Sequence, residues 1–276
     1  MRPHTLPSSW CPVGSSAHEE TPMSGTLTVV GLGPGDRRYL TPDADEAINS
    51  ADALYGYAPY LARVPVRGHQ IHYPSDNREE AARAAAALAH ATCGGNVAIV
   101  SGGDPGVFAM AAAVCEAIES GPEAWRALDV MFIPGVTAML AVAARIGAPL
   151  GHDFCALSLS DNLKPWELIG RRLDAAASAG FVVAIYNPVS RARPWQFGNA
   201  LGRLRRRLPP STPVVFGHAV GRSDERVDVT TLDAADGKNA DMATLVIVGS
   251  RETRVVARPG KPPLVYTPRA AVEVSA

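Results

Sequence analysis

Three glycine-rich turns are the places in this chain where residue type and spacing could do chemistry. The first, Gly31-Leu32-Gly33-Pro34-Gly35-Asp36, follows the β-branched run Thr26-Leu27-Thr28-Val29-Val30. The second, Ser101-Gly102-Gly103-Asp104-Pro105-Gly106-Val107-Phe108, follows the apolar run "NVAIV". The third, Pro134-Gly135-Val136-Thr137-Ala138, follows "LDVMFI". Glycine lets a backbone come close to a ligand. A carboxylate such as Asp104 can accept hydrogen bonds from a hydroxyl or an ammonium.

The turns do not match the common phosphate binders. A dinucleotide fingerprint reads G-x-G-x-x-G/A, and Asp36 stands where its last glycine belongs. A carboxylate there repels a pyrophosphate. Pro34 removes a backbone donor, and the next helix opens only near Thr41. Asp52 lies near the spacing of a ribose-binding acid, so an NAD-dependent oxidoreductase stays open as a reading from another enzyme class. A plain strand–loop–helix turn stays open too. The second turn lacks the lysine of a P-loop. Two acids, tight backbone and apolar walls suit a small cationic ligand that carries an adenosine and an amino acid. S-adenosylmethionine is such a ligand, because its sulfonium tolerates carboxylates nearby.

These turns need a scaffold, and the pattern around them supplies one. Strands are expected at 26–30, 53–57, 96–100 and 128–133, alternating with helices at 41–50, 78–91, 106–120 and 138–146. Thr41 followed by Pro42 is a helix-start signal. That alternation reads as a mainly parallel βαβ sheet. All three turns then fall at the carboxyl ends of strands, where open parallel sheets bind ligands. In the second half, strands at 155–159, 181–186, 213–219, 226–231 and 244–249 are joined by helices at 166–179 and 195–208. Strand follows strand more often there, so a mixed sheet is expected. The organisation expected is a disordered extension (1–25), an N-terminal α/β domain (26–136), a C-terminal α/β domain (137–258) and a loose Pro-rich tail (259–276). Met23 stands just before the first strand as an alternative start.

Bulk properties narrow the classes. The chain has 276 residues, 47% of them hydrophobic, enough for one large or two ordinary cores. A net charge of −1 gives no global attraction to nucleic acid or to an anionic membrane. Lysine occurs only at Lys164, Lys238 and Lys261, and arginine carries the rest of the positive charge. The guanidinium fork is the better donor to carboxylates. Cys11, Cys93, Cys115 and Cys155 show no CxxC spacing and read as reduced thiols of a cytoplasmic protein. His69 and His72 have no acid or cysteine cluster beside them in sequence, so no metal site is expected. No apolar run is long enough for a transmembrane helix, so no membrane partner is expected either.

"VGLGPGD…LT", "SGGDPGVFAM" and "PGVTA", in that order and spacing, resemble the tetrapyrrole (corrin and sirohaem) methyltransferases. The resemblance covers roughly residues 26–255. It implies two α/β domains with a cleft between them, S-adenosylmethionine as methyl donor, an anionic tetrapyrrole substrate and a homodimer. Further stretches, "HDFCALSLSDNLKPWELIGRRL", "YNPVSRARPWQ" and "DMATLVIVGSRET", are similar to the member that methylates C17 of the macrocycle and contracts the ring. In that reaction a hydroxyl at the bridging carbon collapses, the carbon leaves the ring as an acetyl group, and a lactone opens.

By the same resemblance Pro34, Gly102, Gly103, Asp104, Val107, Thr137 and Ala138 would contact the cofactor. Tyr186, Asn187, Ala219 and Thr244 would do so from the second domain. Asn187 departs from related uroporphyrinogen methylases, which carry Tyr-Met at this place. Asp36 would be the general acid or base. Arg37, Arg38, Arg63, Arg191 and Arg193 would meet substrate carboxylates. Metal-free and cobalt-containing substrates are not separated by these motifs, and a tetrapyrrole carrier without transfer activity is the non-enzymatic alternative.

Overall fold

The computed structural model describes residues 25–190 and 192–270. The expected extension at 1–25 therefore lies, except for Gly25, outside the described residues, as does Arg191. The chain divides into two compact units, one ending at Thr137 and the other starting at Ala138.

The first unit is built on β1 (Thr26–Gly31), β2 (Ala53–Tyr57), β3 (Ile71–Ser75), β4 (Asn96–Ser101) and β5 (Asp129–Ile133). Their order is β3-β2-β4-β1-β5, with every pair parallel. The helices are α1 (Pro42–Ser50), the short α2 (Ala58–Leu61), α3 (Glu80–Thr92) and α4 (Met110–Ser120). Alternate residues of β1 serve two cores. Leu27 and Val29 pack with Ala84, Leu88 and Val114 of α3 and α4, and Val30 packs with Ala44 and Ile48 of α1. A sheet covered on both faces needs strands apolar on both faces, which is why "TLTVV" and "NVAIV" are nearly continuous apolar runs. Thr41 caps α1 by accepting from the Ala44 N–H at 3.2 Å, with Pro42 in the first turn, as expected. α4 starts later than expected, at Met110 rather than near Gly106, because Phe108 takes a left-handed φ of 52° and breaks the helical path.

The second unit holds α5 (Ala138–Ile146), β6 (Gly147–Ala148), β7 (Phe154–Ser158), α6 (Trp166–Ser178), β8 (Val182–Tyr186), α7 (Gln196–Arg205), β9 (Pro213–His218), β10 (Arg226–Thr231), β11 (Thr244–Val248), β12 (Arg254–Arg258) and β13 (Lys261–Tyr266). Its main sheet runs β10-β9-β11-β8-β7, parallel only between β7 and β8, and is therefore mixed as expected. Phe197, Leu201 and Leu204 of α7 pack with Val183, Ile185 and Phe216 on one face. On β9, Gly217 leaves room for α5: a Cβ there would lie 2.2 Å from Val142 Cγ2. The arginines of "RLRRR" include two fasteners: Arg203 pairs with Asp174 at 3.0 Å, and the Arg205 Nε donates to the Leu232 carbonyl at 3.1 Å.

Two expectations need correction. The tail is not loose through 261–266: β13 pairs antiparallel with β12 and parallel with β6, and Val265 is buried. A Pro259-Gly260 turn with Gly260 at φ 69° joins β12 to β13, and Pro-Gly at the centre of a turn is a hairpin signal in the sequence itself. Residues 271–276 lie outside the described residues. The four cysteines are not all thiols: Cys115 and Cys155 are free, whereas Cys93 is disulfide-bonded. No helix among the described residues is long and apolar enough to cross a membrane.

Glycine is sterically required at Gly135, where a Cβ would lie 2.3 Å from the Gly103 carbonyl oxygen. Gly135→Ala is expected to lower the thermal midpoint by several degrees or more, a loss of about 2 kcal/mol or greater. Gly202, inside α7, has nothing within 4 Å of a Cβ. Gly202→Ala is expected to raise the midpoint, by about 0.5–1 kcal/mol in stability. Calorimetric melting of both variants checks the pair.

Candidate functional site

In an all-parallel sheet every strand ends on the same edge, so the three glycine turns meet at one rim. β1 lies between β4 and β5, which places the first turn between the other two. The contact is backbone to backbone. Gly33 and Gly103 exchange N–H···O bonds of 3.1 and 2.9 Å, and the Leu32 N–H donates to the Ser101 carbonyl at 2.8 Å. On the other side, a Cβ on Gly31 would lie 2.6 Å from the Gly135 nitrogen. Gly33 and Gly103 both take left-handed φ, 68° and 69°. At Gly103 the nearest atom to a Cβ would be Thr137 Cα at 3.7 Å, so a small cradle is left there that a methyl group would fill. Gly102 is covered by Tyr60: a Cβ would lie 2.6 Å from the ring.

Polar side chains fasten this rim. Asp104 accepts from the Gly106 N–H through Oδ1 at 2.8 Å and from the Gly135 N–H through Oδ2 at 3.0 Å. The carboxylate thus ties the second turn to the third. Arg63 is placed on the first turn itself. Its Nη2 donates to the carbonyls of Leu32, Gly33 and Gly35 at 3.1, 3.1 and 2.7 Å. That guanidinium is committed to turn geometry, so Arg63 leaves the expected substrate set. Pro34 and Thr137 are buried in the rim, and Val107 is half-buried with its N–H on the Asp104 carbonyl.

Asp36 is exposed and caps the 3-10 turn Arg37–Tyr39 by accepting from the Arg38 N–H at 2.9 Å. Arg38 is 74% exposed, its Nε 3.6 Å from Asp36, and Arg37 reaches Asp45 at 2.8 Å. Surface pairs of this kind are weak and exchangeable. In the second unit Arg193 is mostly covered and lies 3.9 Å from Asp161.

The expected residues of the second unit also share a rim. β8 and β9 both run antiparallel to β11, so their carboxyl ends lie at the edge where β11 begins. Tyr186 ends β8 with Asn187 just after it, Ala219 follows β9, and Thr244 starts β11. The Tyr186 hydroxyl accepts from the Met139 N–H at 3.2 Å, which brings in Ala138 and the start of α5. Asn187 and Ala219 hold left-handed φ of 50° and 46°. Such non-glycine conformations cost about 1–3 kcal/mol each and concentrate at functional sites. Asn187 is held by its Nδ2–H on the Ser158 Oγ at 3.0 Å, and Ala219 by its N–H on the Ala243 carbonyl at 2.9 Å.

Sequence reasoning missed Tyr60, whose ring covers Gly102, and Asp241. Asp241 Oδ1 accepts from the Thr244 hydroxyl at 2.7 Å and the Ala243 N–H at 2.9 Å, and lies 3.1 Å from His218 Nδ1. Burial alone would push the Asp241 carboxyl up, but these hydrogen bonds and the nearby imidazole together hold it below the usual aspartate value. No spacing rule links residues 218 and 241; only the β9–β11 ladder does. Among the described residues no group of three or more metal-ligating side chains occurs; His69 precedes β3 and His72 lies within it.

The model of the tetrapyrrole (corrin/porphyrin) methylases matches residues 26–236. A precorrin-3B C(17)-methyltransferase of Sinorhizobium sp is 63% identical over 247 residues, covering 90% of this chain and 97% of that protein. The crystal structure of the methyltransferase CobJ superposes with a TM-score of 0.85 at 47% identity, covering 89% of this chain and 100% of that one. A uroporphyrin-III C-methyl transferase from Thermus thermophilus, complexed with S-adenosyl homocysteine, superposes with a TM-score of 0.62 at 24% identity, covering 82% and 97% of the two chains. At that identity the likeness concerns the fold alone.

Asp104→Ala removes the side-chain acceptors of two backbone N–H groups, so it should cost about 1–3 kcal/mol of stability and weaken S-adenosylhomocysteine binding about tenfold or more. Titration calorimetry and melting measure both; unchanged affinity would remove Asp104 from the site. Asp241 has a depressed folded-state pKa, so its stabilisation is present above the ordinary aspartate value and is lost as pH falls through the folded value. The melting difference between wild type and Asp241→Asn should therefore be present at neutral pH and shrink steadily below about pH 4.

Proposed function

This chain belongs to the tetrapyrrole (corrin/porphyrin) methylases, and we propose that it methylates C17 of precorrin-3B with S-adenosylmethionine, contracting the ring to precorrin-4, in cobalamin biosynthesis. The observation that carries the reading is the 63% identity to a precorrin-3B C(17)-methyltransferase across nearly the whole of both chains. The working form is read as a homodimer, as the resemblance implies, and as cytoplasmic from the cysteine spacing.

The residues present fit the donor. The first rim offers small backbone turns, the cradle at Gly103 and the carboxylate of Asp104, and no lysine stands in its turns. Gly102, Gly103, Asp104, Val107, Pro34 and Thr137 would hold it there. Ala138, Tyr186, Asn187, Ala219 and Thr244 are the contacts assigned to the second unit. S-adenosylmethionine, when bound, supplies an electrophilic methyl carbon on a cationic sulfur. The chain's own task is to orient the accepting carbon and exclude water. The rigidity of the rim serves that task, because its turns cannot shift apart without breaking backbone hydrogen bonds. Arg37, Arg38, Arg191 and Arg193 are the proposed partners of substrate carboxylates, where paired guanidinium–carboxylate bonds give orientation as well as affinity. Asp36 is the proposed acid, protonating the lactone carboxylate as that bond opens.

Transfer of labelled methyl groups from S-adenosylmethionine to metal-free and to cobalt-containing substrate tests the reading. Label is expected in the metal-free product; S-adenosylhomocysteine is expected to bind and NAD is not. Binding of tetrapyrrole with no label transferred would favour a carrier instead. Asp36→Asn preserves a capping side chain while removing the acid. It should slow product formation about tenfold or more with cofactor affinity retained.

A further inference from the structure

We infer that His218, oriented by Asp241, takes up the proton that leaves the substrate hydroxyl during ring contraction. This rests on the functional reading above and adds a second proton-handling residue to it.

The geometry is that of an aimed imidazole. His218 is the last residue of β9, and Ala219 immediately turns the chain with a left-handed φ. Across the ladder His218 is the register partner of Thr244 on β11 and of Arg226 on β10. Asp241 Oδ1 lies 3.1 Å from Nδ1 and is itself held by the Thr244 hydroxyl and the Ala243 N–H. A carboxylate at Nδ1 makes that nitrogen the donor, so in the neutral ring the lone pair is on Nε2. The ring is mostly covered, with 17% of the side chain exposed. Among the described residues Nε2 meets Asp224, at 3.5 Å, from a side chain that is 64% exposed. The remaining charged neighbour on the ladder, Arg226, turns its Nε to Asp228 on its own strand at 3.5 Å. A histidine kept for packing alone has no need of a carboxylate anchored by two further hydrogen bonds. This one has an orienting group on one nitrogen and a loosely occupied, displaceable contact on the other. The arrangement also shares its atoms with the rim: the Thr244 hydroxyl that anchors Asp241 belongs to a residue assigned to the cofactor.

The step balances without an oxidant. The hydroxyl O–H pair becomes the second bond of the new carbonyl, and the proton goes to Nε2. The ring carbon–carbon pair migrates to the neighbouring carbon, and the lactone C–O pair departs on the carboxylate. Asp241 stabilises the imidazolium so formed, and solvent then removes the proton. Asp241 acts through His218 and is a positioning residue.

The test uses the full chain, S-adenosylmethionine and metal-free tetrapyrrole substrate between pH 5 and 9, alongside calorimetry with S-adenosylhomocysteine. His218→Gln should lower kcat by about 100-fold or more, with cofactor affinity within about threefold of wild type. Asp241→Asn should stay active, and the acid limb of its pH–rate profile should move to lower pH by about half to one unit, because the imidazolium loses its counter-charge. A His218→Gln variant within about twofold of wild-type rate, or an acid limb that does not move in Asp241→Asn, overturns the assignment. Should His218→Gln fail to fold by circular dichroism, the Asp241→Asn limb decides alone. A wild-type chain that transfers no methyl group overturns the functional reading, and this inference with it. Wild-type turnover combined with an indifferent His218→Gln overturns the inference only.

Discussion

The first unit depends on direct backbone contact among three turns. Gly33 and Gly103 bond to each other as a two-residue bridge, and Gly31, Gly103 and Gly135 approach so closely that a Cβ on Gly31 or Gly135 would lie 2.6 or 2.3 Å from the facing backbone. Parallel β4, β1 and β5 bring the turns to one edge; the glycines let them touch. Asp104 and Arg63 then satisfy backbone groups that the tight packing would otherwise leave unpaired. A rim made this way is rigid, small-featured and carboxylate-bearing. Those properties suit a compact cationic donor better than a pyrophosphate.

The second unit reaches a similar end by other means. Its rim uses strained non-glycine residues, Asn187 and Ala219, each held by a specific hydrogen bond. Strain persists where surrounding structure over-determines it. The mixed sheet matters here, because antiparallel β11 brings its starting residue, Thr244, to the edge where β8 and β9 finish. Thr244, Asp241 and His218 become one hydrogen-bonded group only through that pairing.

Much of this was legible in the residues. Apolar runs ending in glycine turns marked β1, β4 and β5, and the Thr41–Pro42 start marked α1, because these signals are local. β3 was missed because "IHYPS" carries a proline and mixed polarity, as an edge strand can. β12 and β13 were missed although Pro259-Gly260 lay between the runs RVVAR and KPPLVY; a high proline content was mistaken for looseness. The arginines were the least legible. Arg63 and Arg38 are alike in a sequence, yet one fastens three carbonyls of the first turn and the other stands in solvent.

By itself the sequence determined the strand–helix alternation, the mainly parallel character of the first sheet, the mixed character of the second and the residue types at each turn. These follow from periodicity and local backbone preference, which need no distant partner. Only the tertiary structure decided which polar groups meet. Asp104 finds Gly135, Arg63 finds Gly35 and His218 finds Asp241 across separations of 31, 28 and 23 residues. A hydrogen bond depends on distances of about 3 Å and on angle, and only the assembled sheets set those.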